Sequence, residues 1–234
     1  NDYPDSIVKI IADSDLLNRR VYKYSDLSYF LFKEYLENTG GKDLDHLTQE
    51  NYYQSLGAHT MGYKPLSRFA KSKIVPSEND TYWRMQQVHG YVHDMGAAME
   101  DNIGGHAGLF SNANDVAKMM QMYLQNGYYG GKRYFSKETM DAFNTCYYCK
   151  DDVRRGVGFD KPQLGTVGPT CGCVSMESFG HSGFTGTLTW ADPESGIIYV
   201  FLSNRTFPTA DNRKLISSDL RTRIQEVIEN AVIP

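Results

Sequence analysis

The chain has 234 residues, 41% of them hydrophobic, enough to bury a core within one large domain or a domain with a sub-lobe. Its formal net charge is -4 with acidic and basic residues interspersed, which leaves no electrostatic footprint for nucleic acid or an anionic membrane. No stretch reaches the roughly eighteen apolar residues of a membrane helix, and the opening "NDYPDSIVKI" lacks the basic start and apolar middle of a signal peptide.

In chain order, "DSIVKIIAD" places Ile7, Val8, Ile10 and Ile11 at helical spacing. "SDLSYFLFKEYLENTGG" does the same with Leu27, Phe30, Leu31, Phe32 and Tyr35 before the Gly40-Gly41 stop. "LTQENYYQSLG" predicts a further helix. Residues 62–85 are polar, carry prolines and show no period, which predicts a long surface loop. "NDVAKMMQMYLQNG" predicts a helix capped within Ser111–Asn114 and ended by Gly127, and a short one follows over 136–144. From Phe184 the pattern alternates: "FTGTLTWAD", the turn "DPESG", then "GIIYVFLSN", whose unbroken apolar run predicts a strand covered on both faces. Leu215, Ile216, Leu220, Ile224, Val227 and Ile228 form one stripe of a C-terminal helix expected to lie across that sheet.

Two short stretches carry chemistry. His181-Ser182-Gly183 stands at the mouth of the hairpin, where glycine lets backbone approach a ligand with an amide N–H aimed at it. Tyr24-Ser25-Asp26 stands at the entrance of the second helix, with two natural capping residues and a tyrosine that a nearby cation can turn into a base. Each alone is equally a glycine-rich hairpin entry or a capped helix.

The blocks "KYSDLSYFLFKEYLENTGG", "VHDMGAAMEDNIGGHAGLFSNANDVAKMM" and "SFGHSGFTGTLTWADP…VFLSNR" together resemble the serine β-lactamase and penicillin-binding superfamily, in its class C and esterase-like branch. Within it the chain is most similar to the β-lactamase-like module fused to family 3 glycoside hydrolases in exported bacterial proteins. The resemblance implies an α/β (α+β) fold: an antiparallel sheet flanked by helices plus a helical lobe. It would be one domain over 1–234, with the helical lobe at about 1–175 and the sheet and C-terminal helix at about 176–234. It implies no catalytic cofactor, a small-molecule or peptidoglycan-derived substrate, export to the periplasm, and a fused glycosidase as a candidate partner. By motif, Tyr24 matches the tyrosine that shuttles the serine proton, and Asp26 falls where the family has Asn. His181, Ser182 and Gly183 match the strand triplet, and the Phe184 N–H matches an oxyanion donor.

Two departures follow. The single Ser-x-x-Lys, Ser6 to Lys9, is a spacing expected about once by chance, and only fourteen residues separate Lys9 from Tyr24. The expectation is that the nucleophile region and first strands are missing, that Ser6 is not acylated, and that an exposed sheet edge invites a homodimer. Asp26 cannot donate to a substrate carbonyl when ionised, and its charge opposes use of Tyr24 as a base. This favours an esterase, a peptidoglycan-related acyl hydrolase or no activity over β-lactam hydrolysis, the alternative being a non-catalytic accessory module.

Cys146-x-x-Cys149 and Cys171-x-Cys173, twenty-two residues apart, suit a shared structural zinc. Disulfides remain an alternative, with bridges between the two pairs favoured over closure of the tight Cys-x-Cys ring, and unpaired thiols are a third. His93-Asp94 reads as structural because neighbours in an extended segment face opposite ways. His106 reads as a satisfied buried histidine, and most of the seventeen tyrosines as core or rim rather than a sugar-binding surface.

Overall fold

The apolar spacing near the N-terminus forms α1 (Tyr3–Ala12) and α2 (Leu27–Gly40) in the computed structural model, which describes residues 3–18, 21–151, 153–163 and 168–232. α2 stops at the glycine pair: Gly41 adopts φ 65° and its N–H donates to the Glu37 carbonyl at 2.8 Å. α3 (Leu44–Thr48), capped by Asp43, runs into a π-helical turn over Gln49–Tyr53. Residues 62–85, expected as a loop, instead contain two 3₁₀ turns and the strand β1 (Pro76–Asp80), which pairs antiparallel with β2 (Gln86–His89). "PSEND" has no apolar alternation to announce a strand. What holds the hairpin is its turn, where the Asp80 carboxylate accepts the N–H groups of Tyr82, Trp83 and Arg84. With α4 (Met95–Met99) these elements make the first of two compact units, Asn1–Ser55 plus Thr60–Ser111, with Leu44, Tyr63 and Ile103 as a core cluster.

The second unit comprises Leu56–His59 and Asn112–Pro234. Asn112 caps α5 (Ala113–Leu124), accepting the Asp115 N–H at 2.9 Å, and a two-residue hairpin of β3 (Tyr128–Tyr129) and β4 (Lys132–Arg133) follows. Ser136 caps α6 (Lys137–Asn144) in the same way. The main sheet is an antiparallel meander of β5 (Phe179–Ser182), β6 (Leu188–Ala191) and β7 (Ile198–Phe201), in that order. Alternation sorts its side chains into two layers. Phe179, Ala191 and Ile198 meet Val116, Met120, Tyr123 and Leu124 of α5 on one face. Leu188, Trp190, Tyr199 and Phe201 meet Ile224 and Ile228 of α8 (Leu220–Val232) on the other. β7 is therefore covered on both sides, as its apolar run predicts.

The C-terminal helix is not continuous. It breaks into α7 (Lys214–Ser217) and α8 at Asp219, which takes φ 50°, so only the Ile224 and Ile228 part of the expected stripe reaches the Trp190 layer while Val227 stays 69% exposed. The strand boundary also moves: His181 and Ser182 end β5, residues 183–187 form the turn, and the next strand begins at Leu188 rather than Phe184. Gly186, at φ 97°, is confined to glycine because a Cβ would strike Ser203, Leu215 and Arg205. A Cβ on Gly180 would strike the Thr189 carbonyl and the Trp190 ring.

Candidate active site

His181 pairs with Thr189 and, two residues after Phe179, lies on the α5 face of the sheet at the end of β5. Its Nδ1–H donates to the Ser182 carbonyl at 2.7 Å, and Arg155 Nη1 donates to its Nε2 at 3.0 Å. A guanidinium has no acceptor, so the ring hydrogen belongs on Nδ1 and the Nε2 lone pair faces Arg155. The same Nη1 lies 2.8 Å from Asp160 Oδ1. Asp160 in turn closes the edge of β5, exchanging N–H···O bonds of 2.7 and 3.2 Å with Gly180. Burial holds the Asp160 carboxyl above the usual carboxylate range, against the opposing pull of His181 and Arg155.

Sequence reasoning misses Arg155 and Asp160. "RRGVGFD" has neither strand period nor motif, and only the backbone bridge between Asp160 and Gly180 brings the pair to His181. Of the remaining triplet residues, Ser182 pairs with Leu188, and the Gly183 N–H donates to the Thr187 carbonyl at 2.8 Å. Phe184 is 65% exposed, with the Arg205 guanidinium 4.8 Å from its ring centre.

Tyr24 and Asp26 belong to the first unit, residues 181–184 to the second. Tyr24 is 54% exposed in the segment before α2. Asp26 holds the cap position but in helical backbone, φ -85° and ψ -9°, so its carboxylate caps nothing, and Ser25 Oγ instead accepts the Leu27 N–H at 3.2 Å. The first turn of α2 is clamped against the loop 94–106: Phe30 stacks on His106 at 4.2 Å between ring centres, and Gly105 has no room for a Cβ against the Tyr29 carbonyl. His106 Nε2 bonds Asp94 Oδ1 at 2.9 Å, and the same carboxylate caps α4 through the Ala97 N–H. The hydrogen bond from His106 holds Asp94 below the usual carboxylate range, although burial opposes it. His106 is buried as expected, but among the described residues only its Nε2 is satisfied and Nδ1 has no partner. His93 turns away to Glu78 at 2.8 Å, so His93 and Asp94 serve separate structural pairs. Ser6 and Lys9 are exposed on α1, which buries no residue.

The shared zinc cluster is not what the cysteines form. Cys146 is bonded to Cys149 and Cys171 to Cys173, with Cα separations of 5.5 and 5.3 Å, and the described residues contain no group of three or more candidate metal ligands. Bridging also runs within each motif rather than between them. The reason is local: both short loops already bring their cysteine Cα atoms inside the range a disulfide spans.

These features agree with comparisons to known proteins. The "Putative D-alanyl-D-alanine carboxypeptidase" of Escherichia coli O157:H7 is 36% identical over 205 residues, covering 82% of this chain and 47% of the relative. The chain thus spans about half the length of the curated relatives it matches. A β-lactamase from Mycobacterium bovis shares the fold at a TM-score of 0.64 and 16% identity, over 94% of this chain and 68% of that one. A penicillin-binding protein homologue from Caulobacter crescentus does so at 0.60 and 16%, over 87% and 58%. The β-lactamase family model matches residues 1–222, and the chain belongs to that family, within the serine β-lactamase and penicillin-binding superfamily.

Proposed function

We propose that this chain is part of an exported serine acyl hydrolase acting on peptidoglycan-derived peptides, with a nucleophile that is not among these 234 residues. The observation that carries the reading is the Arg155–His181 pair at the end of an edge strand. Arg155 holds the imidazole in one tautomer while sharing its charge with Asp160, a pair that suits hydrogen-bonded rather than unpaired-charge recognition of a substrate that ends in a carboxylate, as a D-alanyl peptide does. The relatives named as D-alanyl-D-alanine carboxypeptidases support the same substrate class. Two disulfides support an oxidising compartment. Tyr24 would move the serine proton and the Phe184 N–H would receive the oxyanion. Ser6, exposed on a helix with no buried residue, supports assigning no nucleophile to this chain.

The test is acylation followed by intact mass. Parent protein carrying an upstream Ser-x-x-Lys is expected to gain one penicillin adduct, and the 234-residue chain none. Saturating probe that leaves the parent protein unmodified would overturn the hydrolase reading and favour an accessory module. An adduct on Ser6 would overturn the assignment of the nucleophile elsewhere.

A further inference from the structure

Two concave surfaces of the first unit play no part in the chemistry above. One, of about 240 Å³, is walled by Trp83, Arg84, Gln86, Tyr91, Ala98 and Asn102. The other, of about 230 Å³, shares Tyr91 and Asn102 with it and adds Lys64, Leu66 and Asp101. Each is ring-sized rather than drug-sized, and the shared residues make them neighbours.

The walls define the ligand by what they offer and what they withhold. Trp83 and Tyr91 keep 44% and 47% of their surface exposed, giving each cavity an aromatic surface. The amides of Gln86 and Asn102 can both donate and accept, which matches a hydroxyl. The cations are already engaged. Arg84 donates to the Val92 and His93 carbonyls, both at 2.8 Å, and packs over Trp83, while Lys64 is paired with Asp101. A phosphate or carboxylate would find no unshared positive charge here. A neutral molecule with an apolar face and a hydroxylated edge fits both halves of the description, and a pyranose ring is such a molecule.

The backbone supplies an independent sign. Six non-glycine residues described have positive φ, and four of them gather here: Lys64 at 45°, Asp101 at 57° and Asn102 at 66° in the walls, and Met85 at 52° between Arg84 and Gln86. Strained conformations of this kind persist where surrounding structure enforces them, and they cluster at ligand sites. Gly90, also in the second wall, has φ 81° and packs Leu66 into the space a Cβ would take.

We propose that these paired cavities bind a neutral glycan, one pyranose ring in each. None of the residues proposed for acyl transfer takes part, so this site stands or falls separately from that chemistry.

The chain carries its own reporter. It has two tryptophans, and Trp190 is 1% exposed, so solvent-sensitive fluorescence comes from Trp83. Titration of the 234-residue chain with N,N′-diacetylchitobiose or cellobiose is expected to shift Trp83 emission to the blue and shield it from acrylamide. Saturation-transfer NMR is expected to show protein-to-sugar transfer in the same range. Tyr91→Ala, removing one aromatic surface, is expected to weaken binding about tenfold. Asn102→Gly keeps the left-handed backbone while removing the amide and is expected to weaken it too; Gln86→Ala, on an exposed strand position, does the same should Asn102→Gly fail to fold. Absence of any fluorescence or NMR response into the millimolar range would overturn the proposal. So would binding unchanged in Tyr91→Ala and Gln86→Ala, or displacement of the sugar by a D-alanyl-D-alanine tripeptide, which would make this a peptide site.

Discussion

His181, proposed for substrate recognition, and Tyr24, proposed for proton transfer, have contrasting surroundings. His181 ends the edge strand of a sheet that is packed on both faces, and both of its ring nitrogens are hydrogen-bonded. Tyr24 precedes a helix, is half exposed and belongs to no regular element; what is fixed is the turn six residues on, where Phe30 lies on His106. The histidine is positioned by long-range packing of a sheet. The tyrosine is carried by a helix that is itself clamped from one side, while Leu27, Leu31, Phe32, Tyr35 and Leu36 of α2 remain exposed. Sheet packing and a one-sided clamp should therefore answer mutation very differently.

The largest effect is expected at the sheet. Trp190→Ala removes the central side chain of the α8 layer, and its Nε1–H bond to Ser178 Oγ at 2.9 Å, and should cost about 3–5 kcal/mol in urea unfolding. An unchanged midpoint would mean the sheet does not set the frame for His181. Gly180→Ala drives a Cβ into the Trp190 ring and should cost about 1–3 kcal/mol.

The clamp on α2 is expected to be worth less. Asp94→Asn keeps the shape of the cap but loses its charge and should cost about 1 kcal/mol near neutral pH. Because His106 lowers the folded-state pKa of Asp94, that stability is present above the unfolded value near pH 4 and is lost as pH falls further. Wild type and Asp94→Asn should therefore converge in acid; a gap that stays constant down to the lowest pH would assign the effect to packing alone.

A pH slope sharpens the other side. Lys161 is buried beside the sheet, donating to Asn144 Oδ1 and the Glu177 carbonyl, and burial lowers it from 10.5 to about 8. The unfolded chain thus holds more protons between those values, so stability rises with pH through that window. Lys161→Met should flatten the rise, seen as a loss of pH dependence in the unfolding midpoint. The smallest effect is expected at Tyr24→Phe, within about 0.5 kcal/mol, because the side chain is exposed. A larger loss would show that Tyr24 is anchored as firmly as His181.

The local elements were legible where side-chain spacing carries the signal. The helix stop at Gly41, the cap within Ser111–Asn114 and the doubly covered β7 all follow from residues within one turn or one strand. The β1–β2 hairpin was not, since a strand of "PSEND" is held by its turn and partner rather than by its own pattern. The same holds for the site. His181-Ser182-Gly183 and Tyr24 stand out in the sequence by motif, whereas Arg155 and Asp160 reach His181 only through a bridge to Gly180.

Cysteine spacing shows the limit most plainly, because Cys-x-x-Cys and Cys-x-Cys are compatible with metal, crossed bridges or local bridges. Backbone geometry, which spacing does not encode, chose the last. The sequence by itself determined which short segments are helical, which alternate, and where the chain turns, because those depend on neighbours a few residues away. Only the tertiary structure decided which charges meet and which rings stay open to solvent, because each depends on atoms that approach from distant parts of the chain, and only the folded backbone decided that the sulfurs join locally.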